Sequence, residues 1–145
     1  MIFRMAIWDF FKEYQKKKLH KRLAFALWAE VKKNLESYYV MYQIERLRSF
    51  QLQSWEEAHK HLDLTQVSAF AEYIRAIQYY QAALTEFKEY ETWYSADIAH
   101  KSQETGRLLH DKKEEAEKRF QGLEGIIKDA QKGLEEEFRR RRLIR

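Results

Sequence analysis

Residues 109–138 constrain this chain more than any other stretch. Apolar side chains fall at Leu109, Ala116, Phe120, Leu123, Ile127, Ala130, Leu134 and Phe138. After the first gap the steps are 4, 3, 4, 3, 4 and 4. That spacing is the seam of a long helix with one stripe buried against other long helices. The earlier part of the chain has to supply the partners.

It contains nothing that stops a helix. There is no proline, and all four glycines lie after residue 105. Ala, Leu, Glu, Lys, Gln and Arg favour helix throughout, and no strand alternation bounded by turn residues is visible. The expected fold class is all-α: an antiparallel bundle of three long amphipathic helices plus a short connector helix, packed in coiled-coil fashion. At 145 residues the chain suits a single domain able to bury a core.

The expected order begins with an amphipathic extension over 1–14. Phe3, Ile7, Phe10 and Tyr14 share one stripe, with Phe11 beside it and Trp8 at the edge. The run Lys16, Lys17, Lys18, Lys21 and Arg22 follows, with His20 inside it. Continued past residue 14, the first stripe would carry Lys17 and Lys21. The apolar face therefore moves by about a third of a turn, to Leu19, Leu23, Leu27, Val31, Leu35, Tyr38 and Tyr42. A helix is expected over 15–49, either continuous with the extension or broken in the basic run. Ser54 with Glu57 reads as a capping box opening a short helix over 54–62. This helix lies either across the bundle end or along its side.

The next helix, over 64–94, buries Val67, Phe70, Ile74, Ile77, Tyr80, Leu84, Phe87 and Tyr94. The last runs over 103–143. The three long helices are about 45, 30 and 38 residues, or roughly 68, 45 and 57 Å. Short links between them imply antiparallel neighbours. The middle helix is too short to cover the first, so the N-terminal aromatic stripe should overhang the bundle.

Several chemistries find little support. Cysteine is absent, which excludes disulfides, thiolate metal sites and a cysteine nucleophile. No Gly-x-Ser-x-Gly and no phosphate-cradling glycine loop occurs. Glu56 with His59 and Asp97 with His100 make acid-x-x-His steps like those of di-iron bundles. No further acid stands on the apolar stripes to complete such a site, so metal binding ranks third and no cofactor is expected. Gly122, Gly125 and Gly133 fall inside the last helix, where they either are tolerated or let a neighbour approach closely.

The net charge is +4 with a pI near 9.2, which permits an acidic partner without requiring one. The C-terminal arginines 139–142 look like a nucleic-acid patch. However, Glu135, Glu136 and Glu137 each precede one by four residues, and the helix C-terminus favours cations. Only Arg142 and Arg145 lack a local acid, so nucleic acid is a disfavoured partner. No apolar run reaches the length of a membrane span, and the N-terminus lacks the form of a signal peptide. The expected address is the cytoplasm, with the membrane surface as the alternative.

The expected function is therefore a non-enzymatic helical interaction or scaffolding protein. It associates through Phe3, Ile7, Trp8, Phe10, Phe11 and Tyr14, with the basic run steering an acidic partner. A homodimer is the expected form, or another protein partner. The alternative is a peripheral membrane protein that lays the same segment and basic run on anionic lipid.

Overall fold

The computed structural model describes the backbone of residues 2–96 and 103–145, and side chains over 6–95 and 104–145. Among these residues five helices follow in order: α1 (Ile2–Ile44), α2 (Gln53–Ala58), α3 (Ser68–Ala96), α4 (Gln103–Gln121) and α5 (Leu123–Arg140). No strand occurs among the described residues. The fold is an all-α bundle in which α3 packs on α4 and α5, and α5 packs on α1.

The seam read from the sequence is the core of this bundle. Leu123, Ile127, Ala130, Leu134 and Phe138 are all buried. They meet Leu23, Leu27, Val31 and Tyr38 from α1 and Phe70, Ile77, Tyr80 and Leu84 from α3. Tyr38 stacks on Phe120 at 4.5 Å, and Tyr80 and Phe50 complete an aromatic cluster where α4 meets α5.

α1 is one continuous helix through the basic run. Its direction relative to α3 differs from a simple up-and-down chain. Asn34 lies beside Tyr73 and Met41 beside Tyr80, the same offset of 39 residues each time. The two helices therefore run parallel, and both run antiparallel to α4 and α5. The connection must return the length of the bundle, and it does so as a fourth wall along α1. Arg48 sits against Met41 and Gln51 against Asn34. Three residues of chain thus span seven of helix, roughly 10.5 Å, which is the reach of fully extended backbone.

This return segment explains where the helix boundaries depart from expectation. α1 ends at Ile44, not near residue 49. Glu45 adopts a left-handed φ of 53°, and Arg46 N–H donates to Met41 O at 3.2 Å, as in a Schellman turn. Beyond it, side chains satisfy the extended backbone. Phe50 N–H donates to Gln81 Oε1 at 2.6 Å, and Tyr80 Oη donates to Arg48 O at 2.8 Å.

The capping box at Ser54 and Glu57 does not form. The short helix starts at Gln53 and ends at Ala58, and Ser54 does not precede it as a cap. Instead the buried carboxylate of Glu30 reaches across from α1. It accepts from Ser54 N–H at 2.9 Å and Trp55 N–H at 3.3 Å. A helix start is capped here from another element. α3 begins at Ser68, four residues later than expected.

The last helix is interrupted at Gly122, so the expected 103–143 segment divides into α4 and α5. Gly133 is the glycine of close approach. A Cβ there would stand 3.1 Å from Val67 Cγ1, whereas one at Gly125 would meet nothing within 4 Å. α5 closes in a second Schellman turn. Arg142 takes a φ of 59°, and Leu143 N–H donates to Phe138 O at 2.7 Å. This turn folds Leu143 and Ile144 back against the core.

Candidate association surface on α1

From residue 6 to residue 18 every α1 side chain is exposed. Ile7, Trp8, Phe10, Phe11 and Tyr14 are each between 50% and 74% exposed. Phe3 lies in α1, with its side chain outside the described residues. The overhang arises because α3 begins at Ser68 and α5 closes at Arg140, so neither helix runs along this part of α1. Trp8 stacks on Phe11 at 6.2 Å, and the Lys12 ammonium lies 5.7 Å from the Trp8 ring centre.

Because α1 is continuous, its faces can be compared along the whole helix. At about 100° per residue, Ile7, Phe10, Phe11 and Tyr14 point about 150° away from the buried Leu23, Leu27, Val31 and Tyr38. The aromatic face thus looks outward from the bundle. Lys17, Lys18, Lys21 and Arg22 follow on the same outward side, while Asp9 and Glu13 lie on the opposite one. No acid faces outward on α1 before Glu36.

Further along that face come Phe25, 60% exposed, and the half-buried Trp28, with ring centres 5.9 Å apart. The sequence reading missed both. The available signal was Phe25 standing four residues after Lys21, off the core stripe. Beside them the Schellman turn after α5 places Leu143 and Ile144. Together these four side chains floor a groove of about 870 Å³. Lys21, Arg22, Arg139, Arg142 and Arg145 rim it, together with Glu135, which pairs with Arg139. The Trp28 indole N–H is shut off from solvent and has no hydrogen-bond partner among the described residues.

The C-terminal arginines divide as the charge spacing implies, with one change. Arg139 pairs with Glu135 at 2.6 Å and Arg141 with Glu137 at 2.7 Å. Arg140 turns to Glu137 instead of Glu136. Two guanidiniums beside Glu137, Arg140 and then Arg141, hold its carboxyl below the usual range. Among the described residues, Lys16, Lys17, Lys18, Lys21, Arg22, Arg142 and Arg145 have no acid within ion-pair distance. His20, inside the basic run, is shifted down by burial first and then by Lys16, His61 and Arg141.

Other places offer less chemistry. Glu56 and His59 are exposed on and just after α2, and His59 Nδ1 is engaged with Trp55 O at 2.9 Å. Asp97 and His100 lie outside the described residues. Among the described residues no group of three or more His, Cys, Asp or Glu is placed to hold a metal ion. An apolar groove of about 660 Å³ lies under the 59–65 turn. Asp63, which lines it, is already engaged, since Asp63 Oδ1 accepts from Thr65 and Asp63 O from Arg141. The buried polar side chains Glu30, Asn34 and Tyr73 hold the return segment and face no cavity mouth.

Among the described residues no helix is long and apolar enough to cross a membrane. Comparison with known proteins finds no matching family, no matching curated protein and no matching solved structure.

Proposed function

We propose that this protein is a non-enzymatic interaction module whose association surface is the outward face of α1. One observation carries the reading. Ile7, Phe10, Phe11 and Tyr14 project from a helix that has left its own bundle, on the side facing away from the core, with Trp8 exposed on the flank. Clustered exposed apolar surface of this kind marks association sites. The bundle anchors the helix, and the aromatic segment makes the contact.

The unpaired cations on the same face bring an acidic partner to it and raise the rate of encounter. Stability and association use separate residues in the aromatic segment, because Ile7, Trp8, Phe10, Phe11 and Tyr14 make no part of the core. A second copy of the chain is one occupant that residues 7–14 accommodate, through apolar pairing of two such segments.

The test compares the full chain with a full-length variant carrying Phe10→Ser and Phe11→Ser. Sedimentation at tens of micromolar reads self-association, and binding to a supplied surface is read on the same pair. The variant should lose association while keeping the unfolding midpoint of the parent. If both proteins associate equally under every condition, this face is not the association surface.

A further inference from the structure

We propose that the surface α1 docks on is an anionic lipid bilayer, with headgroup phosphates seated at the groove between α1 and the turn that follows α5. This deepens the association reading above and rests on it.

The chemistry of the face has three zones in a line, spanning roughly 32 Å from residue 7 to residue 28. The aromatic zone comes first, the cations Lys17, Lys18, Lys21 and Arg22 next, and Phe25 with Trp28 last. Aromatic side chains enter the interfacial region of a bilayer, and lysine and arginine meet anionic headgroups beside it. The acids of this stretch, Asp9 and Glu13, are on the far side. A plane of negative charge therefore meets no repelling residue on α1 before Glu36.

The groove fits one end of an amphiphile. Its floor of Phe25, Trp28, Leu143 and Ile144 accepts hydrocarbon. Its rim supplies Lys21, Arg22, Arg142 and Arg145 without acid partners, and the acid that lines it, Glu135, is paired with Arg139. The Schellman turn puts two of those cations there. Arg142 occupies a left-handed position where glycine is the unstrained residue, and its side chain joins the rim.

A second copy can pair its aromatic segment but fits the whole length of this face poorly. Laying the aromatic segment of one copy on the Phe25 and Trp28 groove of another, antiparallel, centres the pairing near Lys18. The outward cations Lys17, Lys18, Lys21 and Arg22 of each copy would then face one another. A lipid surface of opposite charge removes that repulsion.

The experiment is co-sedimentation of the full chain with vesicles of phosphatidylcholine, alone or with roughly 30% phosphatidylglycerol. Binding is expected only with the anionic lipid and should weaken with salt, since exposed charges are screened. Phe10→Ser with Phe11→Ser should lower the apparent affinity roughly tenfold or more. Arg142→Gly should lower it about fivefold, the usual effect of one cation near an anionic surface. Its folding is not at risk, because glycine suits that φ. Its unfolding midpoint, measured alongside, separates lost contact from lost fold.

Equal binding to both vesicle types, or anionic binding unchanged by Arg142→Gly, overturns the proposal. So does absence of vesicle binding. If in that case sedimentation still shows self-association that depends on Phe10 and Phe11, the association reading stands and only the lipid assignment fails. Saturable binding of an acidic amphipathic peptide without vesicle binding would give the face to a protein partner.

Discussion

The side-chain amide of Asn34 donates to the phenol oxygen of Tyr73 at 2.7 Å, and both residues are shut off from solvent. The same amide donates to Gln51 O at 2.8 Å and accepts from Gln51 N–H at 3.1 Å. One side chain thus ties α1 to α3 and to the extended return segment. Asn34→Ala leaves buried donors and acceptors unpaired and should cost about 3 kcal/mol. Tyr73→Phe should cost about 1 kcal/mol. The double variant should cost less than the sum, read by urea unfolding of the four proteins.

Glu30 caps α2 from the neighbouring α1, so its replacement should be felt in a helix it does not belong to. Glu30→Ala should cost about 2 kcal/mol at neutral pH through the lost acceptors for Ser54 and Trp55. Burial, the largest influence, pushes the carboxyl above its ordinary 4.5, against the hydrogen bonds that lower it. The folded state therefore holds this proton more tightly than the unfolded one. That contribution is fully present below the unfolded pKa and is lost as pH rises through the raised folded value. The stability of the parent minus that of Glu30→Gln should fall as the pH rises from about 4 towards neutral. A flat difference in unfolding free energy over that range would contradict this account of Glu30.

The two left-handed residues should respond alike in stability. Glu45 and Arg142 both carry positive φ at Schellman turns, and glycine at either position should raise stability by up to about 1 kcal/mol. They should differ in vesicle binding. Arg142→Gly removes a rim cation and weakens binding, whereas Glu45 lies at the far end of α1 and its replacement leaves binding unchanged. Thermal unfolding and co-sedimentation on the two variants check both halves.

Two glycines in α5 should separate in sign. Alanine at Gly125 meets nothing within 4 Å and should stabilise by about 1 kcal/mol through helix propensity. At Gly133 the added Cβ presses on Val67 at 3.1 Å, so the gain should be smaller or reversed, and Gly133→Leu should cost about 2 kcal/mol or more. Unfolding midpoints of the three variants decide it.

The long-range polar contacts mark the limit of what the sequence made legible. Helical periodicity exposed the core, because a stripe such as Leu123, Ile127, Ala130, Leu134 and Phe138 is a local pattern. It also exposed the aromatic overhang, since helix lengths alone leave one end uncovered. Periodicity could not foresee the end of α1 at Ile44. That end depends on Glu45 accepting a strained φ and on Gln81, Tyr80 and Asn34 satisfying distant backbone. Ser54 and Glu57 matched a local cap, but a buried carboxylate 24 residues earlier replaced it. The groove was hidden for the same reason. Leu143 and Ile144 reach Phe25 and Trp28 only because a turn and an antiparallel helix bring the C-terminal residues against the middle of α1.

The most direct measurement places an environment-sensitive dye at position 10. The chain has no cysteine, so Phe10→Cys gives a single labelling site, and exposed Gln78→Cys on α3 gives a control. With anionic vesicles added, the dye at position 10 should shift to the blue and the control should not. No shift at position 10, or equal shifts at both, would contradict the claim that the outward face of α1 is where this protein docks.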